Sequence, residues 1–580
     1  MADTWRSIAS RKQEERASRI PHAWLLPSSI DPNRHDVLDV PRESGILSPA
    51  ELRLTGEYDA TALLAGLGSG LLKSVDVVTA FCKRAAIAQQ VSNCLTEIFF
   101  HDAIARAREL DAYFAKTRKP IGPLHGLPIS IKDSFQVRGY DASLGVAALC
   151  FRPSTSNSAL VELLLSLGAV LYCKTNVPLT MMALDSHNNV FGRTLNPADR
   201  RLTAGGSSGG EGALVAMRGS ILGIGTDVGG SIRVPAYCNG IYGVKPSHGR
   251  VPYAGQAIGG PAGSSKLAIE STAGPIGVSV RDCELLLRVI SDSDAASRDP
   301  DVVSQTWQEQ RALSISRSLF VKSQPLRVGI VRTDGHVTPL PPIQHFIDEV
   351  AHTLSSHGSR IEVVDLDIGT LGAQCLKAFN GIVSIEGANN WFDLLEKTGE
   401  PISPWLSTRL RRRPQKSVNE VRSLQAQRTS LLTQCLDIWH EKGGYWNTSD
   451  SRARRGERSV DVIICPAAPH PVPPIDRWNS ANYTSMFNLL DWPAAVLPVR
   501  KFQERDLRGE VGGAEALNGW DKVNRELWTK VDRAVYVGSP LSVQVVAPRL
   551  MERKLVESLA VLEKALEPLR EKDLNSKSRL

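Results

Sequence analysis

A chain of 580 residues with 42% hydrophobic and 22% charged positions carries enough apolar material for a large buried core, which excludes a disordered protein apart from its ends. The formal net charge of +7 is small for this length and is spread among acidic residues, so nucleic acid is not an indicated partner. Nine cysteines, with no C-x-x-C pair and no His/Cys cluster at metal spacing, argue for reduced thiols in an intracellular compartment, read here as the cytoplasm, and against a disulfide scaffold or a structural zinc site.

In chain order, residues 1–50 join a charged helical start to a proline-rich passage (Pro21, Pro27, Pro32, Pro41), expected to wrap over a body formed by the rest. The start has no apolar signal-peptide core, and no stretch reaches the roughly 18 apolar residues of a membrane span. Ser48-Pro-Ala-Glu51 has capping-box spacing. From there to Phe114, apolar residues recur at three- and four-residue steps, which predicts an all-helical lead-in. A short strand over 129–133 follows, with Ser130 and Lys132 on one face and Ile129 and Ile131 on the other. A helix over 158–167, a strand over 169–173, a helix over 211–217, a strand over 221–225 and a helix over 281–290 then alternate as in an α/β core. A strand over 326–331, a helix over 343–354 and a strand over 361–364 extend the same sheet.

Residues 418–439 read as a long amphipathic helix with Val418, Val421, Leu424, Leu431, Leu432, Cys435 and Trp439 on one side. The basic runs beside it, Arg409 with Arg411 to Arg413 and Arg452 with Arg454, Arg455 and Arg458, read as solvated surface. Strands over 460–465, 494–499 and 542–546 and a helix over 550–569 close the fold. The final Ser578-Arg579-Leu580 differs from the peroxisomal Ser-Lys-Leu address by one basic exchange, so peroxisomal import stands beside the cytoplasm as a destination.

The chemistry concentrates in Thr203-Ala-Gly-Gly-Ser-Ser-Gly-Gly-Glu-Gly212 and Gly223-Ile-Gly-Thr-Asp-Val-Gly-Gly-Ser-Ile-Arg-Val-Pro235, which hold 9 glycines and 3 serines in 23 positions. Such backbone lets a ligand approach its N–H groups. A linker would not run straight into the apolar Ala213-Leu-Val-Ala216. Asp227-Val-Gly-Gly-Ser231 offers successive N–H donors ahead of a serine, which is what an oxyanion hole requires. Gly223-x-Gly-x-x-x-Gly229 misses the dinucleotide fingerprint by one position, no Gly-Lys-Ser/Thr serves a phosphate, and no G-x-S-x-G elbow surrounds Ser231. Lys132 has apolar flanks, and a lysine stripped of water loses basicity and can act as a general base.

Together, Gly126-Leu-Pro-Ile-Ser-Ile-Lys-Asp133, Gly205-Gly-Ser-Ser-Gly-Gly210 and Gly225-Thr-Asp-Val-Gly-Gly-Ser-Ile-Arg-Val-Pro235 resemble the amidase signature family. Lys132 and Ser207 stand 75 residues apart and the two serines 24, as in that family. The likeness continues through Lys174-Thr-Asn-Val-Pro178, Gly243-Val-Lys-Pro246 and Tyr483-Thr-Ser-Met-Phe-Asn488, covering about 50–565, and is nearest the fungal acetamidase and fatty-acid-amide-hydrolase branch. One departure is Leu490-Asp-Trp-Pro493, where Gly-x-Pro is common; it bears on local pocket shape.

The resemblance implies an α/β fold, a large mixed twisted sheet with helices on both faces, in one domain over 51–570 followed by an exposed tail, 571–580. It implies amide hydrolysis through a Ser–Ser–Lys triad with no cofactor and no metal. Ser231 would be the nucleophile, Ser207, after a cis peptide, the bridge, and Lys132 the base. Val228, Gly229, Gly230 and Ser231 would supply oxyanion N–H groups, with Ser207 beside the substrate. Ser208, Asp227 and Arg233 would support them, and Met181 with Met182 would line the acyl pocket. The partner is then a small-molecule amide, and a homodimer is left open. The competing readings are an ammonia-supplying amidotransferase subunit, against which the extra termini argue, and a silent binding protein, against which the complete triad argues. A neutral lysine base predicts activity favoured at alkaline pH.

Overall fold

The computed structural model describes residues 4–260, 263–313, 325–358, 360–407, 410–439, 460–477 and 479–570. Its strands in chain order are β1 (Leu95–Ile98), β2 (Pro128–Lys132), β3 (Val170–Thr175), β4 (His187–Asn188), β5 (Gly192–Arg193), β6 (Leu222–Asp227), β7 (Tyr242–Lys245), β8 (Thr272–Gly277), β9 (Leu326–Ile330), β10 (Ile361–Asp365), β11 (Val462–Pro466), β12 (Ala494–Lys501) and β13 (Pro540–Val546). β4 and β5 pair only with each other. The other 11 form one mixed sheet in the order β1-β3-β2-β6-β8-β7-β12-β13-β11-β9-β10. β3, β2 and β6 run parallel at one end and β11, β9 and β10 at the other, while the pairs between them are antiparallel.

Period-two side-chain alternation makes this a three-layer structure. In β3, Leu171 joins one apolar cluster while Val170 and Tyr172 join another; in β11, Val462 and Ile464 separate in the same way from Ile463 and Cys465. Helices Ala159–Ser166, Val280–Ser291, Pro341–Ser355 and Glu552–Ala565 cover the first face. Ser74–Ser92, Phe100–Thr117 and Gly209–Ala216 cover part of the second, and Leu371–Val383 and Asn482–Leu489 cover the rest. All nine cysteines are buried and unpaired. Among the described residues, no helix is long and apolar enough to cross a membrane.

Two expectations fail. The lead-in is not all helical, because Leu95–Ile98 forms edge strand β1, antiparallel to β3. Its Glu97 is fully buried against Lys12, a partner remote in sequence that no local period reveals. The amphipathic helix ends at Leu436, and a 3₁₀ turn carries Trp439. Leu431 and Cys435 are buried and Val421, Leu424, Leu432 and Trp439 pack partly, but Val418 is 75% exposed. A Ser417–Glu420 capping box, not burial, anchors that first turn. Arg411 to Arg413 are exposed, and Arg412 pairs with Asp393 and Glu396. Arg409, Arg452, Arg454, Arg455, Arg458 and the tail 571–580 lie outside the described residues.

Residues 1–50 contribute helix Trp5–Ser18, which lies against β1. Lys12 there is 2% exposed and contacts Glu15, Glu97 and Asp141, while Arg16 Nη1 donates to Leu95 O at 2.7 Å.

Candidate active site

β2 and β6 are adjacent and parallel, with Ser130 opposite Gly223 and Ile131 opposite Ile224, so Lys132 and Thr226 lie near the carboxyl ends of neighbouring strands, one residue out of register. Such ends are where open α/β sheets bind ligands. Lys132 has no exposed surface; its Nζ lies 2.7 Å from Ser207 Oγ and 2.8 Å from Thr226 Oγ1. Burial lowers the lysine to about 7, even though Asp227, Glu211 and Asp133 pull the other way. Among the described residues no carboxylate lies within ion-pair reach of it. Buried Lys174 and Lys245 are lowered too, the latter to about 8, also by burial. Basicity alone therefore does not single out Lys132; its contact with a serine does.

Ser207 follows a cis peptide bond after Gly206, as expected, and helix Gly209–Ala216 starts two residues later. Ser208 N donates to Ser231 O at 3.2 Å, and Ser208 Oγ lies 3.4 Å from both N and O of Thr226, which ties the serine loop to β6 and to the next turn.

That turn is built around Asp227. The carboxylate accepts from Arg233 Nη2 at 2.9 Å and Nε at 3.1 Å, from Gly230 N at 2.7 Å, from Ile232 N at 3.0 Å and from Asn488 Nδ2 at 2.8 Å. Burial by itself would raise Asp227, but the Arg233 charge and these donors outweigh it and hold the carboxyl far below its usual range. Arg233 spends its remaining donors on Thr484 O, Gln544 Oε1 and Asn488 Oδ1.

The Gly230 N–H is thus already taken, which corrects the four-donor set. The N–H groups of Val228, Gly229 and Ser231 find no protein acceptor among the described residues. Gly230 has φ +135°, and a Cβ there would stand 2.3 Å from Thr484 Oγ1, so no side chain fits. Ser231 Oγ makes no hydrogen bond among the described residues: the contact from Lys132 to Ser207 is formed, and that from Ser207 to Ser231 is not.

Ser231 lines a cleft of about 210 Å³ together with Met181, Met182, Ala183, Leu184, Val228 and Gly229. Leu376, Phe379 and Val383 of helix Leu371–Val383 line it too, with Phe379 close to Gly229, as do Asn479, Asn482 and Trp520. Met181 and Met182 therefore lie where expected. In Leu490-Asp-Trp-Pro493 it is Asp491 that stands at the glycine position, with φ +54°, while Trp492 lines a separate small apolar cavity with Met486 and Phe487.

Thr226 and the Phe379 wall were not among the expected site residues. Thr226 is inside a quoted motif, one residue before Asp227, but strand alternation groups it with Ile224 and Ile131 on the face away from Lys132, so the period alone would have misplaced it. Helix Leu371–Val383 has no local signature and reaches the cleft only through the tertiary fold.

The family model described as Amidase matches residues 76–556. An acetamidase of Aspergillus oryzae is 36% identical over 561 residues, covering 97% of this chain and 98% of that protein. An acetamidase of Emericella nidulans is 35% identical with the same coverage. Among solved structures, a fatty acid amide hydrolase superposes with TM-score 0.84 at 27% identity, covering 97% of this chain and 95% of the other. The chain therefore belongs to the amidase signature family and is a hydrolase of amide bonds.

Proposed function

We propose that this amidase cleaves small apolar carboxylic amides through a covalent acyl-enzyme, with Ser231 as nucleophile, Ser207 as proton bridge and Lys132 as base. The observation that carries this reading is the 2.7 Å contact between Ser207 Oγ and a buried Lys132 that has no carboxylate in ion-pair reach among the described residues, beside the cleft that holds Ser231.

Ser231 Oγ attacks the amide carbon and forms the C–O bond. Its proton passes to Ser207, whose own proton passes to the lone pair of neutral Lys132. The carbonyl oxygen takes up the negative charge against the N–H groups of Val228, Gly229 and Ser231, donors fixed before the reaction begins. As the C–N bond breaks, the proton returns from Lys132 through Ser207 to the departing nitrogen, giving ammonia or an amine. Water then attacks the ester by the same route and releases the acid.

A cleft of about 210 Å³ is smaller than the roughly 300–1,000 Å³ pockets that hold drug-sized ligands. Its walls of Met181, Leu184, Leu376, Phe379 and Val383 favour a short aliphatic or aryl acyl group over a polar one.

The test uses the purified chain alone. It should release ammonia from simple amides and be labelled by a fluorophosphonate, and Ser231→Ala should abolish both while leaving the fold unchanged. Labelling that survives in Ser231→Ala would refute the assignment of the nucleophile.

A further inference from the structure

Beneath Lys132 lies a chain of polar groups that the catalytic steps above do not use. Glu211, in the first turn of helix Gly209–Ala216, is buried completely, as are Ser130, Thr175 and Ser220 around it. Glu211 Oε2 is 2.6 Å from Ser130 Oγ, and Oε1 accepts from Thr175 Oγ1 at 3.0 Å. Ser130 Oγ is also 2.7 Å from Ser220 Oγ, and Ser220 Oγ is 3.1 Å from the carbonyl of Leu222. A Cβ on Gly223, the strand partner of Ser130, would stand 2.1 Å from Glu211 Oε2, so the carboxyl fills that space.

Each hydroxyl in this chain has one proton to give. A carbonyl can only accept, so Ser220 donates to Leu222 O. Ser130 must then donate to Ser220, which leaves it no proton for Glu211. The short contact between Ser130 and Glu211 therefore needs a proton on the carboxyl, with Oε2–H donating to Ser130 Oγ and Oε1 accepting from Thr175.

We infer that Glu211 is a neutral carboxylic acid that positions Lys132: its bonds join β2, β3 and the helix that follows Ser207, and so set the lysine against Ser207 without supplying it a counter-ion. The positioning half rests on the base role proposed for Lys132, whereas the protonation does not.

Charge in the surroundings agrees. The titratable groups facing Glu211 are Lys132 on β2, Tyr172 and Cys173 on β3, and Cys94 just before β1, and none of them makes an ion pair with it. Burial raises Glu211 to about 8, against the hydrogen bonds of Ser130 and Thr175 and the charge of Lys132. A carboxylate at this position would favour the protonated lysine, as Asp227 and Asp133 do; the un-ionised acid adds no such pull.

Two variants and two readouts test this. In infrared difference spectra at pH 7, wild type minus Glu211→Gln, the C=O stretch of an un-ionised carboxyl is expected. Its absence would overturn the neutral acid whatever the activity. In rate–pH profiles, Glu211→Leu should lower kcat on the order of 10²-fold, the effect of a misplaced catalytic group. Glu211→Gln, whose amide can donate to Ser130 and accept from Thr175, should restore most of that rate with the acid limb unmoved. If the glutamine variant instead shifts the limb down by about one unit, the residue was an anion sustaining the lysine charge. Should the leucine variant fail to fold, the infrared band and the glutamine profile still decide. A wild type with the band but no acid limb would defeat the positioning half alone.

Discussion

Asp227 and Arg233 meet in a two-point ion pair from which water is excluded, and the turn between them carries Ser231. Replacing Arg233 with Met would leave the carboxylate buried without its cation, a change that costs about 3–5 kcal/mol. Denaturant titration should show that loss, and fluorophosphonate labelling should fall with it, because the same carboxylate holds the N–H groups of Gly230 and Ile232. The pH dependence has a definite sign. Asp227 is depressed in the folded state, so its contribution is complete above the unfolded aspartate range near 4 and is lost as pH falls toward the folded value. Arg233→Met should weaken this acid sensitivity; a variant as stable and as acid-sensitive as wild type would show that the pair does not anchor the turn.

Lys132 sets the second expectation. With the folded value near 7, the lysine is protonated below that pH and cannot take a proton from Ser207. The kcat/KM profile should therefore fall about tenfold per pH unit below roughly 7 and level off above it. Lys132→Met should remove the limb together with most of the rate. The stability sign is separate: between about 7 and the unfolded lysine value near 10.4, the unfolded chain binds the extra proton, so this residue makes stability rise with pH. A profile flat down to about pH 5 would exclude Lys132 as the base.

The N-terminal helix is fixed to the sheet by charge. Lys12 lies between Glu97 of β1 and Asp141, with Glu15 on its own helix, and nearly all of it is buried. Lys12→Met would leave buried Asp141 with only the N–H groups of Phe151 and Arg152 as donors, and Glu97 with Arg19 as its ion-pair partner, among the described residues. A loss of about 3–5 kcal/mol is expected in urea unfolding. A change below about 1 kcal/mol would instead mark the network as energetically neutral, the outcome found when solvent reaches both partners.

The reach of the sequence differs from one side of the site to the other. Ser207, Asp227 and Ser231 were legible because each sits in a glycine-rich run whose backbone demands are visible locally, and Lys132 because it ends a short strand between apolar flanks. Most strands were legible because they are unbroken apolar runs between helices. β1 was not: four residues including Thr96 and Glu97 carry no strand period, and their burial depends on Lys12, more than eighty positions away. The engagement of the Gly230 N–H by Asp227 follows from how the turn closes, which composition does not specify. Val418 kept the helical period yet projects past the core, because periodicity says which side faces inward and nothing about how far the core extends.

The helical lining of the cleft gives the last expectation. Phe379, Leu376 and Val383 line the same space as Met181, Leu184 and Ser231, and the Phe379 ring lies 3.0 Å from where a Cβ on Gly229 would be. A straight-chain amide laid along that lining gains about 0.8 kcal/mol for each methylene it buries, or about fourfold in kcat/KM. From acetamide upward, kcat/KM should climb by that factor per carbon until the cleft is filled, and then stop. Phe379→Ala removes the ring that closes the space beside Gly229, so the plateau should move to longer chains while acetamide loses little by comparison. Measuring a homologous series of primary amides on both proteins separates the outcomes. A series that declines from acetamide onward in wild type would mean that the acyl group lies elsewhere than against Phe379.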